Sequence, residues 1–220
     1  MSATQYFTRT ISKTTRWLAF GAVGGPILFT LAWTILGFVS PGYQLWDMWI
    51  APYSAISQPI SGLGMGETAP YMNAAFILTG ILMIAGAIGI FRSIPEMESA
   101  NRQRFTLLLS LPGLGTIIDG IFNLESIMLH SLGFLLALSV IVGFLVVGLR
   151  LRKIPGWQRF GHWLLLGSPL TLILAVLFLA TFNPEAAGAG LGIGGLTQRL
   201  MIIQIHFWFV AMGWKAFRMS

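Results

Sequence analysis

Of the 220 residues, 55% are hydrophobic and 9% are charged, with a mean hydropathy of +0.79 and a formal net charge of +6. A water-soluble domain carries roughly a quarter charged residues, so this chain cannot cover a water-facing surface and reads as an α-helical membrane protein. Its basic residues lie in short clusters between apolar stretches, a pattern that excludes nucleic acid and favours an anionic lipid leaflet, and the absence of cysteine excludes disulfides and thiolate metal sites.

A membrane-crossing helix needs about 20 mainly apolar residues. Six stretches qualify: 17–40, 72–91, 105–124, 127–149, 163–182 and 196–217. The first exceeds the roughly 7–15 residues of a signal h-region and has no small-residue cleavage site after it. It is expected to remain as the first span. Its Gly25-Pro26 pair is a candidate kink. Residues 41–71, PGYQLWDMWIAPYSAISQPISGLGMGETAPY, form a long loop, and Tyr43, Trp46, Trp49 and Tyr53 suit a headgroup zone. Loops of that length tend to be functional. The connection between the third and fourth spans is very short, which predicts an antiparallel helical hairpin. The segment NPEAAGAGLGIGG before the last span is rich in Gly and Ala and reads as a mobile loop. Small residues at Gly21/Gly24/Gly25, Ala75/Thr79 and Ala85/Gly89 read as close helix packing. No internal repeat is evident, which weakens an inverted-repeat transporter.

Twelve of the 13 basic residues segregate to one side of a six-span chain. They are Arg9, Lys13 and Arg16 in the N-terminal tail, Arg92, Arg102 and Arg104 in the second loop, Arg150, Arg152, Lys153 and Arg159 in the fourth, and Lys215 and Arg218 at the C-terminus. The positive-inside rule makes that side cytoplasmic. The expected fold is all-α: one polytopic six-helix bundle spanning residues 1–220, both termini inside, in a prokaryotic plasma membrane. Lys215 sits at a span end and reads as snorkelling, which argues against a retinal Schiff base.

Ionisable residues within spans are costly, so each carries a functional hypothesis. Four stand out: Asp119, His130, Arg199 and His206. Asp119 and His130 are equidistant from the tight turn near Glu125, so they lie at similar depth on neighbouring helices, with Asn123 one turn beyond Asp119. Arg199 and His206 share a stripe of the last span, roughly 10 Å apart. Asp119 and Glu125 are the natural partners for Arg199, since a lone guanidinium in lipid is expensive. His162 reads as interfacial. The histidine spacing matches no metal signature, and no nucleotide, dinucleotide or haem motif is present, so no metal or cofactor is expected.

The stretch YSAISQPISGLGMGETAPYMN resembles the signature of a bacterial and archaeal membrane family known as domain of unknown function nine-nine-eight, through Ile60, Ser61, Leu63, Gly64, Pro70 and Asn73. Downstream, GIFNLESIMLHSLGF is similar to the family's G-x-F-P-x-D…His pattern at Gly120, Phe122, His130 and Gly133, with Asn123 and Glu125 as departures. GLTQRL matches its G-L-x-E-R at Gly195, Leu196 and Arg199, with Gln198 in place of the glutamate. The resemblance implies six spans and the same polar cluster, and no established activity. A weaker likeness links the chain to Frag1/DRAM-like six-span proteins.

The favoured functional expectation is an outward-facing site for a lipid headgroup or small anion, with Arg199 as the cation. Asp119, Asn123, Glu125, His130 and His206 would line it, and residues 57–64, including Ser57, Gln58 and Ser61, would cover it. The alternatives are an intramembrane lipid hydrolase using the Asp–His pair with Ser57, Ser61 or Ser131, a small-solute transporter, and a purely structural or partner-binding protein. No nucleophile motif accompanies the Asp–His pair, and the inner halves of the spans are nearly all apolar, so binding is favoured over either catalysis or transport.

Overall fold

Ser12 opens the first helix, its Oγ accepting from the Thr15 backbone N–H at 3.2 Å, which satisfies one of the donors a helix start leaves free. In the computed structural model, which describes residues 12–50 and 52–219, this helix (α1, Lys13–Val39) continues through Pro26. Arg9 lies outside the described residues. A two-stranded hairpin follows, β1 (Tyr43–Leu45) and β2 (Met48–Ile50), paired antiparallel with Tyr43 opposite Ile50. A 3-10 turn over Ile60–Gly64 leads to α2 (Ala69–Arg92), then α3 (Ser99–Ile121), α4 (Ile127–Leu138), α5 (Val140–Leu151), α6 (Gln158–Thr181), the short α7 (Pro184–Gly188) and α8 (Gly194–Arg218).

Among the described residues, six helical stretches are long and apolar enough to cross a membrane: Lys13–Val39, Gly66–Arg92, Ser99–Ile121, Leu124–Leu151, Gln158–Thr181 and Gly194–Arg218. The fourth comprises α4 and α5, broken at Ser139, whose Oγ donates to the Leu136 carbonyl at 2.6 Å. Such back-bonding diverts a carbonyl from the helical ladder and bends the chain. Large apolar side chains remain exposed around the bundle, among them Ile27, Leu31 and Ile35 on α1 and Leu172, Ile173 and Val176 on α6. A contiguous apolar exterior of this kind suits lipid.

Consecutive spans pack antiparallel and the last packs against the first, closing a ring. Where α1 meets α2, a Cβ on Gly21 or Gly86 would run into Leu82 or Ala22, and on Gly89 into Ala19; Thr79 donates to the Gly25 carbonyl at 3.1 Å. Small residues let the backbones approach, which is how helices associate where lipid removes the hydrophobic drive. Gly24 is the exception, with no atom of a neighbouring element within 4 Å of its ideal Cβ.

The alternation gives the bundle two unlike ends. One gathers the described basic residues other than Arg199, at the start of α1, between α2 and α3, around α5 and α6, and at the end of α8. There Arg102 donates to the carbonyls of Phe91, Ile94 and Met97 at 3.1, 3.1 and 2.9 Å, and Lys215 lies over the Trp157 ring. The other end carries the hairpin. Trp46 at its turn and Trp49 on β2 are exposed, but Tyr43 and Tyr53 turn inward. Tyr43 is buried against Gly62, where any Cβ would strike its ring. Within the Gly- and Ala-rich segment before α8, residues 184–188 form α7: Asn183 Oδ1 accepts from the Ala186 N–H at 3.0 Å, Pro184 stands at the first turn, and Glu185 meets the positive helix start.

Candidate functional site

Residues 53–60 lie across the start of α8 and supply what a helix start lacks. The Ser57 and Ile56 carbonyls accept from the N–H groups of Gly195 and Leu196 at 3.2 and 2.8 Å. Gly195 is required for this approach, since a Cβ there would collide with the carbonyls of Gln58 and Ala55. Gln198 closes the loop from the other side, its Oε1 accepting from the Ile60 N–H at 2.7 Å.

Arg199 completes the clamp. Its Nη1 donates to the carbonyls of Ala55, Gln58 and Gly195 at 2.8, 3.0 and 2.9 Å, and its Nη2 donates to the Tyr53 hydroxyl. The guanidinium also stacks 5.1 Å from the Trp33 ring centroid. This corrects the expected ion pair: among the described residues no carboxylate reaches Arg199, neither Asp119 nor Glu125. Loop carbonyls left free by an irregular backbone do that work instead. Burial raises the Tyr53 phenol above its ordinary pKa and Arg199 pulls it back. As a neutral hydroxyl it accepts from Arg199 while donating to the Pro59 carbonyl at 3.2 Å.

Asp119 and His130 meet across the α3–α4 hairpin. Rotation is set by Gly115 and Gly133, where the two backbones touch; a Cβ on Gly133 would overlap the Asp119 carboxylate. His130 Nδ1 lies 2.9 Å from the Phe122 carbonyl and 3.5 Å from Asp119 Oδ1. His206 is buried edge-on to Phe29 at 5.5 Å, and among the described residues its Nδ1 and Asp119 Oδ1 have no hydrogen-bond partner. The remaining candidates lie elsewhere. Asn123 caps the turn by accepting from the Glu125 N–H, Glu125 is exposed, and Ser57 and Gln58 are buried within the loop that covers α8. His162 is exposed at the basic end, bonded to the Gln158 carbonyl.

Two cavities adjoin here. The larger, about 250 Å³, lies between α4, α6, α7 and the hairpin, with apolar walls that include Ile50, Ile127, Phe134, Phe178 and Phe182. The smaller, about 60 Å³, lies inside the bundle among Asp119, His206, Thr116 and Phe29. Ser61, His130, Phe134 and Gln198 line both. Arg199 lines neither, and among the described residues no Lys or Arg does. Sequence reasoning missed Tyr53 as the partner of Arg199 and Gln198 as a wall residue; the polar side chain beside Arg199 inside a span was the available signal for the second.

A family model described as a protein of unknown function (DUF998) matches residues 23–215, and the chain belongs to that family. No curated protein and no solved structure matches it.

Proposed function

We propose that this member of the DUF998 family binds a single-chain amphiphile at the hairpin end of its bundle, the tail in the larger cavity and an uncharged polar head at Ser61, His130 and Gln198. The observation that carries this reading is the junction of an apolar cavity of about 250 Å³ with a small chamber that holds Asp119, Thr116 and His206, through one shared wall. The volume falls just below the roughly 300 Å³ at which ligand pockets usually begin, which favours one short chain over a two-chain lipid. Each methylene removed from water contributes about 0.8 kcal/mol, so eight give about 6 kcal/mol before the losses of association. The affinity expected is micromolar or weaker. The absence of cations from the described walls favours a neutral head such as an ester or hydroxyl over the small anion expected from Arg199, whose donors serve the loop.

A fluorescent monoacylglycerol titrated into the protein in lipid nanodiscs tests the proposal. Ser131→Trp, placed on the wall of the larger cavity, is expected to weaken binding at least about tenfold, by filling volume worth more than 1.4 kcal/mol of tail contact. Its thermal midpoint should stay close to wild type. Equal affinity in the two proteins would remove the tail site from consideration.

The proposal also puts the hairpin end outside and the basic end in the cytoplasm, supported by the segregation of Lys and Arg. Because the chain has no cysteine, single probes are clean. Ala189→Cys at the hairpin end should react with an impermeant maleimide in intact cells, and Glu96→Cys at the basic end only after lysis. The reverse pattern would invert the orientation.

A further inference from the structure

The wall shared by the two cavities holds three polar groups that the fold leaves unused. Ser61 Oγ makes no hydrogen bond among the described residues, although the residue is 8% exposed. Gln198 has its amide orientation fixed, because a backbone N–H can only donate: Ile60 N faces Oε1, which leaves both Nε2–H groups available. His130 has its tautomer fixed in the same way. The Phe122 carbonyl can only accept, so Nδ1 carries the proton and the neutral ring keeps its lone pair on Nε2. Beside that ring stands Asp119, 3.5 Å from Nδ1, with an Oδ1 that no donor satisfies. A buried polar atom without a partner is unfavourable, so a fold keeps one where something else uses it. Chemically these groups are a hydroxyl, a base, a carboxylate placed to favour the imidazolium, and a pair of neutral donors, the set that acyl transfer requires.

We propose that Ser61, His130, Asp119 and Gln198 form a hydrolytic site for a single-chain carboxylic ester, which rests on the amphiphile-binding reading and names its substrate class. His130 Nε2 takes the Ser61 hydroxyl proton as Oγ attacks the ester carbonyl carbon, and the carbonyl π pair moves onto oxygen. Gln198 Nε2–H groups hold that oxyanion, and Asp119 stabilises the positive ring. The tetrahedral centre collapses, the ester C–O bond breaks, and the alcohol leaves with the proton from Nε2. Water then attacks the acyl-Ser61, giving its proton to Nε2 and releasing the carboxylic acid with Ser61 restored. Phosphoryl transfer is disfavoured because, among the described residues, no Lys or Arg lines either cavity to meet phosphate charge. Ser61 and His130 do not hydrogen-bond in the structure, and such bonds commonly tighten only in the substrate complex.

The test uses the whole protein in nanodiscs with a decyl fluorophosphonate, which transfers its phosphonyl group to an activated serine with loss of fluoride. Mass spectrometry should find the adduct on the Ser61 peptide, absent in Ser61→Ala and formed about 100-fold more slowly in His130→Gln, the lower range of general-base effects. Wild type should bind the fluorescent monoacylglycerol and release fatty acid from it. Binding without a Ser61 adduct overturns the hydrolytic proposal and leaves the binding reading standing; loss of both overturns both. An adduct forming equally fast in His130→Gln also overturns it, because the serine would then not depend on the base.

Discussion

Replacing Arg199 with alanine is expected to lower the thermal midpoint more than any other single change in the bundle. Four hydrogen bonds go with the guanidinium, and the carbonyls of Ala55 and Gln58 lose the donor that satisfies them within a membrane protein's end cap. Bonds to a charged donor contribute about 1.5–3 kcal/mol each, and breaking one side of a buried charged network typically costs about 3–5 kcal/mol. The lower total applies here, because residues 53–60 can rehydrate once released. Arg199→Lys should recover little. An ammonium is a point charge on a flexible stem and cannot reach three carbonyls and the Tyr53 hydroxyl in the fork that the guanidinium spans. Thermal unfolding in detergent gives the midpoint, and hydrogen exchange should show residues 55–64 losing protection first. A loss below about 1 kcal/mol, or protection unchanged in that segment, would mean the clamp does not hold the loop.

The same guanidinium shows where sequence reasoning stopped. The six spans are legible because each needs only a run of apolar residues, and the observed helices overlap every predicted stretch. The break at Ser139 is not, since one serine in an apolar run reads the same whether its hydroxyl bonds back to Leu136 or points elsewhere. The hairpin also escaped notice. Its Trp46-Asp47 turn lacks the Gly or Asn that marks such turns, and Trp46 takes φ +50° without them. For Asp119 and His130 the sequence gives depth but no rotation; the contact depends on Gly115 and Gly133 meeting face to face. For Arg199 the rule that a buried cation needs a carboxylate misdirected the search. Irregular loops leave carbonyls free, and Arg102 at the opposite end is held by three of them in the same manner. Counting unsatisfied backbone acceptors near a span end is the better guide to an arginine's partner.

If Arg199 acts by holding the loop onto α8, then pushing the loop away should have the same consequence with every charge left in place. Gly195→Val does this. A Cβ at that position would strike the Gln58 carbonyl and come within 2.8 Å of the Ala55 carbonyl and the Gln58 nitrogen, all backbone atoms that move only with the loop itself. Overpacking of this kind costs about 1–3 kcal/mol, and the displaced carbonyls then withdraw from Arg199. The two substitutions therefore damage one contact. Combined, Arg199→Ala and Gly195→Val should lower the midpoint little more than the worse of the two alone, a coupling of about 1–3 kcal/mol in the double-mutant cycle. Residues more than about 7–10 Å apart with no shared partner usually add, so Gly89→Val on the distant α1–α2 contact supplies the additive control. If Gly195→Val and Arg199→Ala also prove additive, the loop is held to α8 by independent contacts, and Ser61 owes its place on the shared cavity wall to something other than the arginine clamp.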